Sequence, residues 1–214
     1  MSVPPLSLVG AEVLMPEGLR HAPLHIADGR IAARPGRAVD LTGYLIVPGI
    51  VDLHGDGFEH HLAPRRGALQ DLALGLRALD AELAANGITT AVLAQFFSWE
   101  GGMRGPDFAA RVAAAVAKAD TLSELRLQLR LEVNLLDEYA RALDLVAAQD
   151  IRYVVFNDHL PHAALAAGKR PPRLTGQALK SGRSPEAHLA LMQALHARRH
   201  EVPGALEVLA RALA

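Results

Sequence analysis

From Leu45 onward the chain alternates apolar, β-rich stretches with helical ones, and this rhythm limits the possible folds more than any other feature. Leu45-Ile46-Val47 and Ile50-Val51-Asp52-Leu53 make a nearly continuous apolar run, the pattern of a strand buried on both faces. Ala68 to Asn86 reads as a helix with Leu72, Leu76, Leu79 and Leu83 along one side and Gly87 as its stop. The spacing then predicts β structure over Ile88 to Phe97 and a helix from Pro106 to about Leu122. A strand over Leu125 to Val133, a helix over Leu136 to Ala148 and a strand over Ile151 to Phe156 follow. Such alternation argues for parallel βαβ units. Ala163 to Pro185 reads as a long basic loop, and helices are expected at about Pro185–Arg199 and Pro203–Ala214.

The first part of the chain follows a different rule. Between about Leu6 and Val47, short β segments are broken by Gly and Pro. Leu24-His25-Ile26-Ala27 and Arg30-Ile31-Ala32 flank Asp28-Gly29, a tight-turn signal, and Val9 to Leu14 fits a strand pairing with that hairpin. The expectation is a small β layer. With 22 basic against 23 acidic side chains, the composition argues against a non-specific polyanion binder, so no nucleic-acid partner is expected. There is no cysteine, so any metal must be held by nitrogen and oxygen. Pro4 and Pro5 interrupt any signal-peptide pattern, and no apolar run approaches the roughly 18 residues of a membrane span. A cytoplasmic location without a membrane partner is the default expectation.

The most informative stretch is Pro48-Gly49-Ile50-Val51-Asp52-Leu53-His54-Gly55-Asp56. An apolar strand ends in an imidazole and a carboxylate two residues apart, which places both on one face of an extended chain. In a parallel barrel that face opens at the C-terminal strand ends, where catalysis sits. Imidazole plus carboxylate suits Zn²⁺, Mn²⁺ or Fe²⁺, and the hard oxygen also admits Mg²⁺. A strand simply running into a polar turn is the bland alternative. Two later strands end alike: Glu132 lies within an apolar β run, where a lone carboxylate is costly to bury, and Val154 to Phe156 runs into Asn157-Asp158-His159. There His159 is favoured as a ligand, with Asp158 as its neighbour.

The Pro-Gly-x-Val-Asp-x-His pattern after a small β layer resembles the amidohydrolase superfamily. His54-Gly55-Asp56 stands where that superfamily usually has His-x-His. With Glu59-His60-His61-Leu62-Ala63-Pro64-Arg65-Arg66-Gly67, it resembles one branch, the α-D-ribose 1-methylphosphonate 5-triphosphate diphosphatases of phosphonate breakdown. That branch has Pro-Arg-Pro where this chain has Pro64-Arg65-Arg66. The likeness continues through Gly87-Ile88-Thr89-Thr90, the Glu132 strand and Asp158-His159.

The resemblance implies an α/β fold: a partial (β/α) TIM-type barrel over residues 48–214, with residues 1–47 contributing a small β layer. It implies hydrolysis of a ribose 5-triphosphate to the 5-phosphate and pyrophosphate, with one or two divalent ions, Zn or Mn, as cofactor. His54, Asp56, Glu132 and His159 are the implied metal ligands, Asp56 and Glu132 the implied catalytic carboxylates. Arg65 is an implied phosphate contact, and Arg66, Lys180 and Arg183 join it as cations whose loops could cover the same mouth. The implied partner is a small phosphorylated ribose phosphonate, and a homo-oligomer is compatible with the sequence. His60 and His61 suit either a supporting role or solvent exposure. His21, His25, His162, His188, His196 and His200 are expected to be structural or solvent-facing.

The family continues with further His-bearing and Asp-bearing strands after the point that Ala214 reaches. The expectation is therefore the front portion of a longer enzyme, with little activity alone. Two alternatives stand beside it: an amidohydrolase acting on a C–N bond of a cyclic amide or amino-purine, and a non-catalytic module that binds another chain through exposed strand edges.

Overall fold

The computed structural model describes residues 4–65, 68 and 71–214, and they fall into two units, Met1–Gly49 and Ile50–Ala214. In the first unit, β1 (Leu6–Val9), β4 (Leu24–Ala27), β5 (Arg30–Ala32) and β6 (Arg37–Asp40) form a sheet of order β5-β4-β1-β6. β2 (Glu12–Met15), β3 (Gly18–His21) and β7 (Leu45–Ile46) form another of order β3-β2-β7. Asp28 and Gly29 both take positive φ, 52° and 72°, and turn β4 into β5. The strand expected over Val9 to Leu14 is instead two. Gly10, at φ 83°, breaks it, and a Cβ there would stand 2.4 Å from the Thr42 hydroxyl. β1 then pairs with β4 and β6, while β2 pairs with β3 and β7.

The second unit holds a four-stranded sheet of β8 (Ile50–Gly55), β9 (Ile88–Phe97), β10 (Glu124–Glu132) and β11 (Tyr153–Asn157). All three pairings are parallel, and the spatial order follows the chain order. Strands laid down one beside the next are the winding of a partial β/α barrel, not of a doubly wound sheet. Between and after them come α1 (Glu59–Leu62), α2 (Leu72–Ala85), α3 (Pro106–Val116), α4 (Tyr139–Ala148), α5 (His162–Ala166), α6 (Leu174–Ser181), α7 (Pro185–Ala197) and α8 (Val202–Leu213).

The register shows which face the helices cover. Ala91, Leu93 and Phe97 of β9 share a side with Leu125, Leu127, Leu129 and Leu131 of β10. They pack with Leu76, Leu79 and Leu83 of α2, Val112 of α3, Ala142 of α4 and Leu209 of α8. The other side carries Phe96 on β9 and Gln128, Arg130 and Glu132 on β10. β10 therefore turns Leu toward the helices and a polar side chain to the opposite face at every second residue, the alternation of a strand with two unlike faces. Asp80, buried on α2, accepts the Leu122 and Ser123 backbone N–H groups at 2.8 Å each and fixes the turn into β10.

Two expectations need correction. The apolar run from Leu45 to Leu53 is not one strand buried on both faces, because β7 and β8 belong to different sheets. β8 is an edge strand, so Ile50, Val51 and Leu53 are exposed. Nor is Ala163 to Pro185 a long loop. It holds α5 and α6, because Leu174 and Ala178, one turn apart, both bury, and Gly182 at φ 74° closes α6 with a left-handed cap. Among the described residues no helix is long and apolar enough to cross a membrane.

Candidate active site at the ends of the parallel strands

β8 delivers the first pair of groups through a bulge. Asp52 lies opposite Ala91 but Gly55 lies opposite Leu93, so β8 has one residue more than β9 over this interval. Were the same residues paired regularly, His54 would take the place opposite Leu93, on the helix-covered side. With the bulge, His54 and Asp56 turn to the polar face. Asp52 Oδ1 accepts the His54 N–H at 3.0 Å and holds the bulge. His54 Nε2 then lies 3.4 Å from Asp56 Oδ1, with both side chains about half exposed.

The second pair is built differently. Glu132 is fully buried at the end of β10. Its Oε1 accepts the His159 backbone N–H at 2.6 Å, and its Oε2 lies 2.7 Å from His159 Nδ1. That hydrogen bond, helped by the Glu132 charge and opposed by burial, holds the His159 imidazole above the usual histidine range. A carboxylate on Nδ1 fixes the ring and presents Nε2 for a ligand or a proton. Both Glu132 oxygens are engaged by His159, so Glu132 positions this imidazole. Below it, Tyr139 donates to the Val133 carbonyl at 2.6 Å, and burial, then the Glu132 charge, push its phenol up to about 12.

Arg130 joins the two pairs. Its Nη1 donates to Asp56 Oδ1 at 3.0 Å, and its guanidinium lies 4.1 Å from the Phe96 ring centroid. With the Asn157 amide turned so that its oxygen faces Arg130, that oxygen accepts from Nε and Nη2 at 3.2 Å each. The Phe96 ring in turn lies 5.6 Å from the His159 ring. The four ligand-type residues thus stand as two couples bridged by a cation and an aromatic ring. Among the described residues, the three ligand-type groups whose donor atoms converge within 4.8 Å are others: His60, His61 and Glu82. Asp158 turns away, accepting from Asn134 Nδ2 at 2.7 Å and pairing with His162 Nε2 at 2.9 Å.

A cleft of about 1220 Å³ begins at Asp56 and is lined by Arg65, Arg104, Arg111, Arg173 and Lys180. Carboxylates line it too. Glu100 takes Arg104 Nη1 at 3.1 Å on both oxygens, whereas Glu59 Oε1 is buried without a hydrogen-bond partner. Burial raises the Glu59 carboxyl above its ordinary range, against the lowering field of Arg104. A perturbed carboxyl in a cleft wall suits general acid chemistry. Arg65 and Lys180 both face this cleft, but Arg183 is committed elsewhere. Its Nη1 donates to the Trp99 carbonyl at 2.9 Å, and its guanidinium packs where a Cβ on Gly101 would sit. Arg66 lies outside the described residues.

Three of these residues carried no role in the sequence reading: Arg130, Phe96 and Glu59. The first was within reach, since strict alternation in Glu124-Leu125-Arg126-Leu127-Gln128-Leu129-Arg130-Leu131-Glu132 already puts Arg130 on the side of Glu132. Phe96 carries no such mark, and Glu59 stood in the quoted motif with nothing in the sequence to show its burial.

The fold and the strand-end groups define a mixed α/β protein with ionisable side chains collected at one rim of a parallel sheet. No family model matches the chain, and no curated protein matches it. Among solved structures, it is similar to the L-hydantoinase (dihydropyrimidinase) from Arthrobacter aurescens. The identity is 17%, the TM-score is 0.39, and the match covers 97% of this chain and 55% of that one. This chain thus spans little more than half the length of that structure.

Proposed function

We propose that this chain supplies the strand-end site of a divalent-metal-dependent hydrolase of amidohydrolase type that acts on a phosphorylated substrate. The observation that carries the reading is the buttressed His159. A buried carboxylate holds one ring nitrogen and leaves the other to the rim, where the Phe96 ring beside His159 carries Arg130, which bonds Asp56. His54 Nε2 and Asp56 Oδ1, 3.4 Å apart and open to solvent, fit two donors on one ion, and nitrogen with oxygen suits Zn or Mn. His54 and Asp56 would hold that ion, with His159 Nε2 as a further donor for it or for a second one. When bound, the metal supplies Lewis acidity at the phosphoryl oxygens.

The remaining roles belong to the chain's own residues. Arg65 and Lys180 in the cleft wall hold phosphate oxygens, Arg65 in a fork and Lys180 as a point charge. Glu59, whose carboxyl burial raises above its ordinary range, is placed in the cleft wall to donate a proton to the leaving oxygen. The substrate we favour is α-D-ribose 1-methylphosphonate 5-triphosphate, cleaved to the 5-phosphate and pyrophosphate, because the motif over residues 48–66 resembles that diphosphatase branch and a cationic cleft suits a triphosphate.

The test has two parts. Calorimetry with tripolyphosphate should show binding that Arg65→Gln and Lys180→Gln each weaken. Pyrophosphate release from the ribose 5-triphosphate, with Zn²⁺ or Mn²⁺ supplied, should fall in Asp56→Asn and His159→Asn. Turnover of a cyclic amide with no tripolyphosphate binding would replace this reading with a C–N hydrolase.

A further inference from the structure

Away from the strand ends, a second set of ligand-type side chains converges. α1 offers His60 and His61 in succession, and α2 offers Glu82. Glu82 Oε2 lies 3.0 Å from His61 Nε2 and 3.8 Å from His60 Nε2. The two imidazole centroids are 3.9 Å apart, with the rings tilted by 38°.

An ordinary ion pair does not account for this arrangement. His61 Nε2 is buried and makes no hydrogen bond of acceptable geometry, although Glu82 Oε2 is only 3.0 Å away. Two groups that close yet not aligned on each other suit a third centre between them. Two imidazole nitrogens and one carboxylate oxygen are also a known zinc donor set. Metal–ligand bonds of 2.0–2.1 Å set neighbouring donors about 3.3 Å apart around a tetrahedron, and the two measured separations straddle that value.

The scaffold holds these groups in place. Gly75, Leu79 and Glu82 follow one another along one side of α2 at helical spacing. A Cβ at Gly75 would sit 2.8 Å from the His61 carbonyl oxygen, so the missing side chain lets α1 lie directly on α2. Leu62 and Leu79 bury in the same apolar cluster beneath it. His60 and Glu82 remain more than half exposed, which leaves a route for an ion.

We propose that His60, His61 and Glu82 form a Zn²⁺ site distinct from the His54–Asp56 couple, with its fourth position open to solvent beside the cleft that His60 lines. Its ion clips α1 to α2 and thereby fixes Glu59, the preceding residue, in the cleft wall.

The metal-free 214-residue chain should be titrated with Co²⁺, followed by its visible d–d absorption, and with Zn²⁺ by calorimetry. A tetrahedral Co²⁺ spectrum is expected, and Glu82→Gln and His60→Asn should each weaken binding by about 100-fold. Both variants alter exposed side chains, so their metal-free unfolding curves should match the parent's. The double variant His54→Asn/Asp56→Asn should keep the spectrum even though it disables the strand-end site, which separates this proposal from the functional one. The proposal is overturned if the parent gives no tetrahedral spectrum, if Glu82→Gln and His60→Asn bind like the parent, or if the strand-end double variant abolishes the signal.

Discussion

The two couples at the rim use the same chemical groups under opposite conditions. Glu132 closes β10, a strand paired on both sides, with its carboxylate at 0% exposure and two hydrogen bonds, one to the His159 backbone N–H and one to its imidazole. His54 and Asp56 sit at the end of an edge strand, half exposed, with Arg130 as their tie to the rest of the rim. The buried carboxylate of the inner strand fixes one imidazole in place, while the exposed end of β8 leaves His54 and Asp56 freer to move. Under the proposed function burial divides the labour: the inner couple would serve both folding and chemistry, the outer couple chemistry almost alone.

The largest effect should come from the inner couple. His159→Asn removes the oriented imidazole and should lower hydrolysis by about 10²–10⁴-fold, read as pyrophosphate release under metal saturation. Glu132→Ala should cost about 3 kcal/mol in denaturant unfolding, because it strands two donors that had a buried acceptor. If Glu132→Ala unfolds like the parent, the contrast in burial has no energetic content.

The same couple sets a pH signature. The folded-state pKa of His159 lies above its ordinary 6.5, so its contribution to stability is full below about pH 6.5 and fades as pH rises through the raised folded value. Glu132→Gln should flatten that part of the stability–pH curve. A curve of unchanged shape would mean that the pair does not couple to folding.

Smaller effects belong to the outer couple. Asp56→Asn should change unfolding by less than about 1 kcal/mol, as for other exposed ion pairs, yet weaken metal-supported turnover. Smallest of all, Lys180→Gln should leave stability unchanged and reduce tripolyphosphate affinity by several fold, with the difference shrinking as salt is raised.

Much of this was legible in the residues. The alternation of apolar strands with helices gave the four parallel strands, and Asp28-Gly29 gave its hairpin. Residues 54, 56, 132 and 159 were named because an imidazole or a carboxylate closes an otherwise apolar strand. What stayed hidden depends on neighbours distant in sequence. Nothing near Ile50 to Leu53 shows that β8 lies at the sheet edge, so its apolar run overstated its burial. The Leu174 and Ala178 spacing was masked by the Pro and basic residues around it. Arg183 could be read as a free cation only until the Trp99 carbonyl claimed it.

The surplus residue in β8 has a consequence for how such a site can be altered. Side chains on a strand count in twos, so pairing the same residues regularly, without the bulge between Asp52 and Gly55, would swing His54 and Asp56 into the leucine layer under the helices. The motif is thus sensitive to parity: its two groups turn together, and losing the bulge that Asp52 holds would reverse both.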